Sequence, residues 1–290
     1  MQDIQVKFLL DRLNNTGKCN ELYEIIHDKG GIAKVIDYKP FTENTYYQYF
    51  GTDECVFCFT SLNVAREVQR HTNWVPGVMC NFDGFHRSKY YGYWHKYLWN
   101  KESIFLPWGI FRDNYKDYAP IVDKCYGYLS HHWNLFIAPD DGWKSFTGQI
   151  IGSDKPESDI KYIDSLVKPD KLILVSPYRR PATEWRIFCD GTKIITGSQY
   201  RVNGRLDTEE SAILPQTVSQ WLQPILREMR AIPDAYPDPM IVVDVGMDEY
   251  GAMGIIELNS FSCSGFYQCD LEKIVDAAIL RARIEYQEVH

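Results

Sequence analysis

Asp244, Glu257 and Asn259 lie on two short β-like runs, residues 240–246 and 254–259, separated by the polar, Gly-terminated stretch 247–251. Side chains in a strand alternate faces, so Glu257 and Asn259 share one face while Ile256 and Leu258 take the other. A hairpin turn centred near Tyr250 and Gly251 sets Asp244 opposite Glu257. Two carboxylates and an amide oxygen then converge on one patch of sheet. Like charges facing each other there repel unless a cation lies between them. An all-oxygen donor set selects a hard divalent ion, Mg2+ ahead of Zn2+. The alternative is an exposed hairpin face whose acids are simply solvated.

Three other stretches carry polar chemistry. Residues 140–148 read Asp-Asp-Gly-Trp-Lys-Ser-Phe-Thr-Gly, a loop able to offer backbone N–H groups and the Lys144 cation to phosphates. The loop lacks the Gly-Lys-Ser/Thr ending of a Walker A sequence, and hairpin loops of similar composition are common. In the run from Glu184 to Phe188, Glu184 and Arg186 share a face, either as a salt-bridged surface pair or as part of a site. Lys193, Tyr200 and Arg201 on the next run add positive charge there. Beyond Asn259, residues 260–267 hold three serines and a glycine, a composition suited to a loop that contacts substrate or phosphate. His131 and His132 have no carboxylate at ligand spacing and read as structural, and Arg179 and Arg180 as solvated loop residues.

The elements that must position these groups can be outlined from periodicity. Residues 55–60 form a buried strand, followed by a helix over 62–71 that Ser61 is placed to cap. Together they make a βα unit in an α/β segment extending to about residue 125. The aromatic, turn-rich stretch 81–118 resists parsing, and its Tyr- and Trp-dense part, 90–99, is expected to pack between subdomains. From 130 to 201 short runs follow at 135–138, 149–151, 172–175, 184–189 and 193–200, read as one small antiparallel module. Asp190-Gly191 is the hairpin signal between the last two. Val218, Trp221, Leu222, Ile225, Leu226 and Met229 mark one helical face. A closing helix runs from Asp270, as its cap, to about Glu288, with Leu271, Val275, Ala278 and Ala282 inward.

A chain of 290 residues, 45% hydrophobic and 24% charged, can bury a substantial core divided into two or three subdomains. Its net charge of −8 argues against a general nucleic-acid surface. No apolar run approaches a membrane span, and residues 1–5 lack a signal pattern, so a cytoplasmic location is expected. The eight cysteines are scattered. Cys55 and Cys58, like Cys125 and Cys189, sit in apolar company and read as buried side chains.

Taken in order, the 144–148 loop, the run 174–177, Glu184 to Phe188, Asp244-Val245-Gly246 and Glu257-Leu258-Asn259 with Ser260-Phe261-Ser262 resemble the ATP-grasp superfamily. The likeness is to its small standalone members from bacteria and phages and covers about residues 130–270. The spacings from Asp244 to Glu257, 13, and from Glu257 to Asn259, 2, are similar to those of D-alanine–D-alanine ligase sites. The resemblance implies an α+β (α/β) ATP-grasp fold: an α/β N-terminal subdomain (1–125), a small antiparallel central lid module (126–201) and a C-terminal metal-binding antiparallel sheet with helices (202–290). It implies that Leu174, Val175, Ser176 and Pro177 hold adenine and Glu184 the ribose. Lys144, Phe146, Thr147 and Gly148 would cover the phosphates of ATP with Arg186, while Asp244, Glu257 and Asn259 hold Mg2+. Arg186, Lys193 and Arg201 would neutralise the phosphoryl group during transfer. One departure stands out: the family's lysine just before the loop is Ala138 here, and Lys144 or Lys193 would have to compensate.

The implied activity is carboxylate–amine ligation through an acyl phosphate, with small-molecule or peptide acid and amine substrates. Two other readings stay open, a catalytically inactive ATP-grasp-like module that holds a partner and phosphoryl transfer to a non-carboxylate acceptor. Substrate identity and oligomeric state are not readable from the sequence.

Overall fold

Three sheets organise the chain in a computed structural model that describes residues 4–15, 17–39, 46–122, 133–208 and 213–290. The first is parallel and belongs to the N-terminal segment. Its strands are β1 (Lys7–Asp11), β2 (Ile32–Ile36), β3 (Cys55–Phe59) and β4 (Val75–Gly77), in the order β2-β1-β3-β4. Helices α1 (Cys19–Asp28) and α2 (Leu62–His71) complete the expected α/β unit. All five residues of β3 are buried, as the unbroken apolar run requires of a strand covered on both faces. Ser61 precedes α2, but its own N–H donates to Asp11 Oδ2 at 3.1 Å, so the carboxylate of β1 takes the capping role expected of the Ser61 hydroxyl.

The unparsed stretch contains α3 (Arg87–Trp94), β5 (Ile104–Pro107) and α4 (Trp108–Val122). Tyr90, Tyr91 and Trp94 of α3 pack with Leu174, Trp185, Leu222 and Ile241, confirming aromatic packing between subdomains. The second sheet, β5-β8-β6-β7, is antiparallel and contains β6 (Asn134–Pro139), β7 (Gln149–Gly152) and β8 (Leu172–Pro177), with α5 (Pro156–Asp164) against it. The third has the order β11-β10-β9-β12-β13. Its members are β9 (Thr183–Asp190), β10 (Lys193–Val202), β11 (Arg205–Leu206), β12 (Met240–Met247) and β13 (Met253–Ser260), with α6 (Gln216–Arg230) and α7 (Leu271–Val289).

Sheet membership corrects the expected lid module. The runs at 184–189 and 193–200 leave the small sheet and join the C-terminal one, because β9 pairs along its whole length with β12, Met247↔Thr183 through Met240↔Asp190. Six of the eight β9 residues are buried or nearly so in the strand's central part, which a central position satisfies and the edge of a small lid does not. The small sheet instead gains β5, from before residue 125. That boundary, like His131, His132 and Cys125, lies outside the described residues. The other helix expectations hold: Val218, Leu222, Ile225, Leu226 and Met229 are the buried face of α6, and Asp270 Oδ1 accepts the Lys273 N–H at 3.1 Å to cap α7. No helix among the described residues is long and apolar enough to cross a membrane.

Candidate functional site

Three adjacent strands build the acidic corner. Asp244 on β12 lies opposite Glu257 of β13 on one side and Arg186 of β9 on the other, with a bulge directly after Asp244. The turn that sets this register is braced by Asp248 Oδ1, which accepts the N–H groups of Tyr250 and Ala252, and Gly251 supplies the left-handed residue (φ 85°). The expected pairing of Asp244 with Glu257 is therefore the register found. Asn259 joins through its Nδ2, which donates to Asp244 Oδ2 at 3.1 Å.

Three cations meet these groups, each from a different part of the chain. Arg186 forks onto Asp244, with Nε to Oδ1 at 2.9 Å and Nη2 to Oδ2 at 2.8 Å, and a third bond reaches the Gly265 carbonyl at 3.3 Å. Lys144, from the loop after β6, donates to Glu257 Oε1 at 3.1 Å and to Asn259 Oδ1 at 2.5 Å. Its left-handed backbone (φ 51°) turns the side chain of this loop residue into the site. Arg87, the first residue of α3, donates from Nη2 to Glu257 Oε2 at 2.5 Å and from Nε to the Pro139 carbonyl at 3.1 Å. Burial alone would raise the Glu257 carboxyl, but Lys144 and Arg87 outweigh it and hold the group well below the usual carboxylate range. Two carboxylates thus face three cations, an excess that suits an anionic ligand.

The remaining expected residues divide. Glu184 lies two residues before Arg186 on the same strand face, is buried, accepts from Tyr200 Oη at 2.5 Å and sits 3.6 Å from Arg201. Burial raises its pKa, against the pull of Tyr200 and Arg201. Tyr200 stacks on Tyr267 with centroids 4.9 Å apart, and the Arg186 guanidinium lies over both rings. Lys193, by contrast, opens β10 and pairs with Asp190, four residues along β9 from the Arg186 row. About 3.3 Å of rise per residue puts it near 13 Å away, so it does not compensate for Ala138. Phe146 is buried in the lid core with Leu135, Ile137 and Ile163, and is held by that core rather than turned toward the site with Lys144. Thr147 and Gly148 are exposed. Leu174, Val175, Ser176 and Pro177 are buried in β8, which pairs with both β5 and β6.

Arg87 is the site residue that sequence reasoning missed. Its guanidinium reaches the carbonyl of Pro139, next to Ala138, so a cation from the N-terminal half stands beside the position where the resembled family has its lysine. The absence of a lysine at Ala138 signalled that a cation was needed, but nothing local pointed 51 residues upstream. Leu62, Cys80, Phe85, Tyr90, Cys263 and Ser264 close the corner into a cavity of about 90 Å3. Among the described residues no three His, Cys, Asp or Glu side chains gather to hold a metal ion. The donor set is two carboxylates plus the Asn259 amide, with the Lys144 ammonium already seated between Glu257 and Asn259. A cation held by those two oxygens is a stand-in for a hard metal ion, so the residues fit one.

The family model of the ATP-grasp domain, clade family 2, matches residues 119–277. No curated protein matches the chain. Solved structures do. D-cycloserine synthetase DcsG superposes with a TM-score of 0.63 at 12% identity, covering 98% of this chain and 100% of that one. D-alanine–D-alanine ligase from Bacillus anthracis, complexed with ATP, gives 0.60 at 14% identity, covering 99% and 100%. ATP-grasp ligase PsnB complexed with its minimal precursor gives 0.58 at 10% identity, covering 97% and 100%. At these identities the likeness is one of fold.

Proposed function

Because the chain belongs to the ATP-grasp superfamily, through the domain that spans residues 119–277, we propose that it is an ATP- and Mg2+-dependent ligase joining a carboxylate to an amine. The observation that carries this reading is the convergence of Arg87, Lys144 and Arg186 on Asp244, Glu257 and Asn259. Phosphoryl transfer asks a protein mainly for positioning and for neutralisation of charge on the transferred group. Glu257 and Asn259 would hold the metal, which supplies charge neutralisation at the phosphate oxygens when bound. Asp244 spends both oxygens on Arg186 and so fixes the guanidinium fork toward the nucleotide. Arg87 would take the place of the lysine lost at Ala138, and Glu184 would accept from the ribose hydroxyls. A substrate carboxylate attacking the terminal phosphate would give an acyl phosphate, and attack by an amine would release phosphate and form the amide. No nucleophilic side chain is needed.

The corner is closed as it stands. Nucleotide-sized ligands occupy roughly 300–1,000 Å3, and the cavity here is about 90 Å3. The 140–148 loop must withdraw for ATP to enter, with Lys144 leaving Glu257 and Asn259 to the metal. Trp143 stacks on Phe82 at 3.7 Å and 7°, with the Arg66 guanidinium 4.7 Å from its ring, which docks the loop on the N-terminal subdomain.

The test is ADP release with a panel of amino acids and short peptides, using hydroxylamine as the amine so that an acyl phosphate is trapped as a hydroxamate. Acid-dependent hydroxamate that disappears in Glu257→Gln is the expected result. ADP release indifferent to any acid favours transfer to a non-carboxylate acceptor. No release at all favours an inactive nucleotide-binding module, the reading that Ala138 supports.

A further inference from the structure

Asp140, where β6 runs out into the loop, is absent from every metal or nucleotide role above, yet it is buried and each of its polar atoms is engaged. Its N–H donates to the Leu172 carbonyl at 3.1 Å, which keeps it on the lid sheet, and its carbonyl accepts the Arg87 N–H at 2.9 Å. Oδ1 accepts the Ser88 N–H at 2.6 Å. Oδ2 accepts the Ser88 hydroxyl at 2.9 Å and lies 3.0 Å from His86 Nδ1. His86, Arg87 and Ser88 are the N-cap and first turn of α3, where backbone N–H groups have no partner within the helix. The N-cap residue His86 itself contributes no side-chain bond to that turn. A carboxylate from another subdomain caps the helix in its place.

The turn so held is the one that carries Arg87. Tyr90, Tyr91 and Trp94 anchor the rest of α3 in the core, but a helix of eight residues is too short to be rigid through its own hydrogen bonds. The direction of Arg87 therefore depends on what holds its first turn. Pro139 and Asp140 do so together, Pro139 by accepting the Arg87 Nε–H and Asp140 by capping the backbone beneath it.

We propose that Asp140 is a positioning residue that caps α3 in trans and thereby aims Arg87 at Glu257, tying the geometry of the site to the docking of the lid sheet on the N-terminal half. This rests on the ligase reading only for the consequence in turnover. The coupling between Asp140 and Arg87 stands apart from it and can be measured without substrate. In the intact protein, exchange of the Arg87 Nε–H is followed by nitrogen-15 NMR, with the Arg186 Nε–H as internal reference. Asp140→Ala is expected to speed Arg87 exchange about tenfold, the size of a lost N-cap, and to leave Arg186 unchanged. Asp140→Asn, which keeps an oxygen for the Ser88 N–H, is expected to restore protection to within about threefold. In turnover, Asp140→Ala should lower kcat/KM about tenfold in the wild-type background and have no further effect in Arg87→Met. Arg87 protection unchanged in Asp140→Ala overturns the proposal, as does a turnover loss that adds in full to that of Arg87→Met. If the alanine variant does not fold, Ser88→Ala takes its place: loss of that hydroxyl arm must also speed Arg87 exchange, and unchanged exchange overturns the proposal. A protein without turnover but with the expected exchange pattern would refute the ligase reading alone.

Discussion

Replacing Glu257 with glutamine removes one charge while keeping the shape, and its consequences separate a metal ligand from a structural ion pair. Two cations lose their counter-charge, unequally. The Lys144 side chain is 45% exposed, so its pair contributes no more than about 1 kcal/mol after solvent screening. Arg87 is 11% exposed, and leaving a buried charge without its partner costs about 3–5 kcal/mol. Glutamine still offers an oxygen to the guanidinium, so the lower half of that range applies. At about 2–4 °C per kcal/mol for a chain of this size, the melting temperature should fall by roughly 6–15 °C. The pH dependence carries a sign. The folded-state carboxyl of Glu257 is held well below its ordinary 4.5, so its contribution is present above pH 4.5 and lost only as pH falls through the depressed folded value. The gap between wild type and variant should persist at about pH 5 and close in stronger acid. Both readings predict that much. They part on magnesium: loss of groups that only support metal ligands already costs about 10–100-fold in metal affinity, so loss of a direct ligand should raise the Mg2+ needed for half-maximal ADP release at least about tenfold. A lower melting temperature with an unchanged Mg2+ midpoint would make Glu257 a structural counter-ion and refute the metal assignment.

Other perturbations probe the surroundings of the corner. Trp143→Ala removes an aromatic stack and a cation–π contact, together about 1–2.5 kcal/mol, and should speed association of a fluorescent ATP analogue about fivefold or more in stopped flow; slower or unchanged association means the docked loop does not gate entry. Arg186→Lys keeps the charge but loses the fork on Asp244, about 1.5–3 kcal/mol, and a kcat/KM for ADP release within about twofold of wild type would count against Arg186 as a nucleotide-facing group. Asp238 is pushed up to about 7 by burial, against the Asn81 N–H that it accepts at 2.8 Å. Its folded pKa lies above the ordinary 3.8, so the stability tied to its proton is full below that value and lost as pH rises through about 7. Asp238→Asn should therefore melt above wild type by a margin that opens between about pH 4 and 7 and then holds, and a margin independent of pH refutes the assignment.

What the sequence disclosed about the site follows the range of the contacts involved. Asp244 and Glu257 were legible because one hairpin joins them, and a period of two with a Gly-ended turn sets both face and register. The capping of α7 by Asp270 and the buried stripe of α6 are equally local. The division of the small strands between two sheets was not legible, because β9 reads as a short amphipathic run whichever neighbour it takes. Only the long pairing with β12, about 55 residues on, decides its partner. Phe146 was misread for a related reason: adjacency to Lys144 says nothing about which side of the loop a ring takes once an apolar core lies beneath it.

The counter-ions show the limit most clearly. A carboxylate cluster can be found from one hairpin, but the charges that make it tolerable in the fold come from distant segments: Arg87 is 170 residues from Glu257, Lys144 is 113, and Arg186 is 58 from Asp244. Each lies on a different part of the fold. The acidic pair therefore becomes a low-energy arrangement only when the N-terminal helix, the lid loop and the C-terminal sheet have docked. Domain docking and charge neutralisation are then one event, and a nucleotide with its metal need only displace Lys144, the most exposed of the three cations, to take over the same electrostatic task. The two buried arginines can stay where they are, already directed at the place where phosphate charge would arrive.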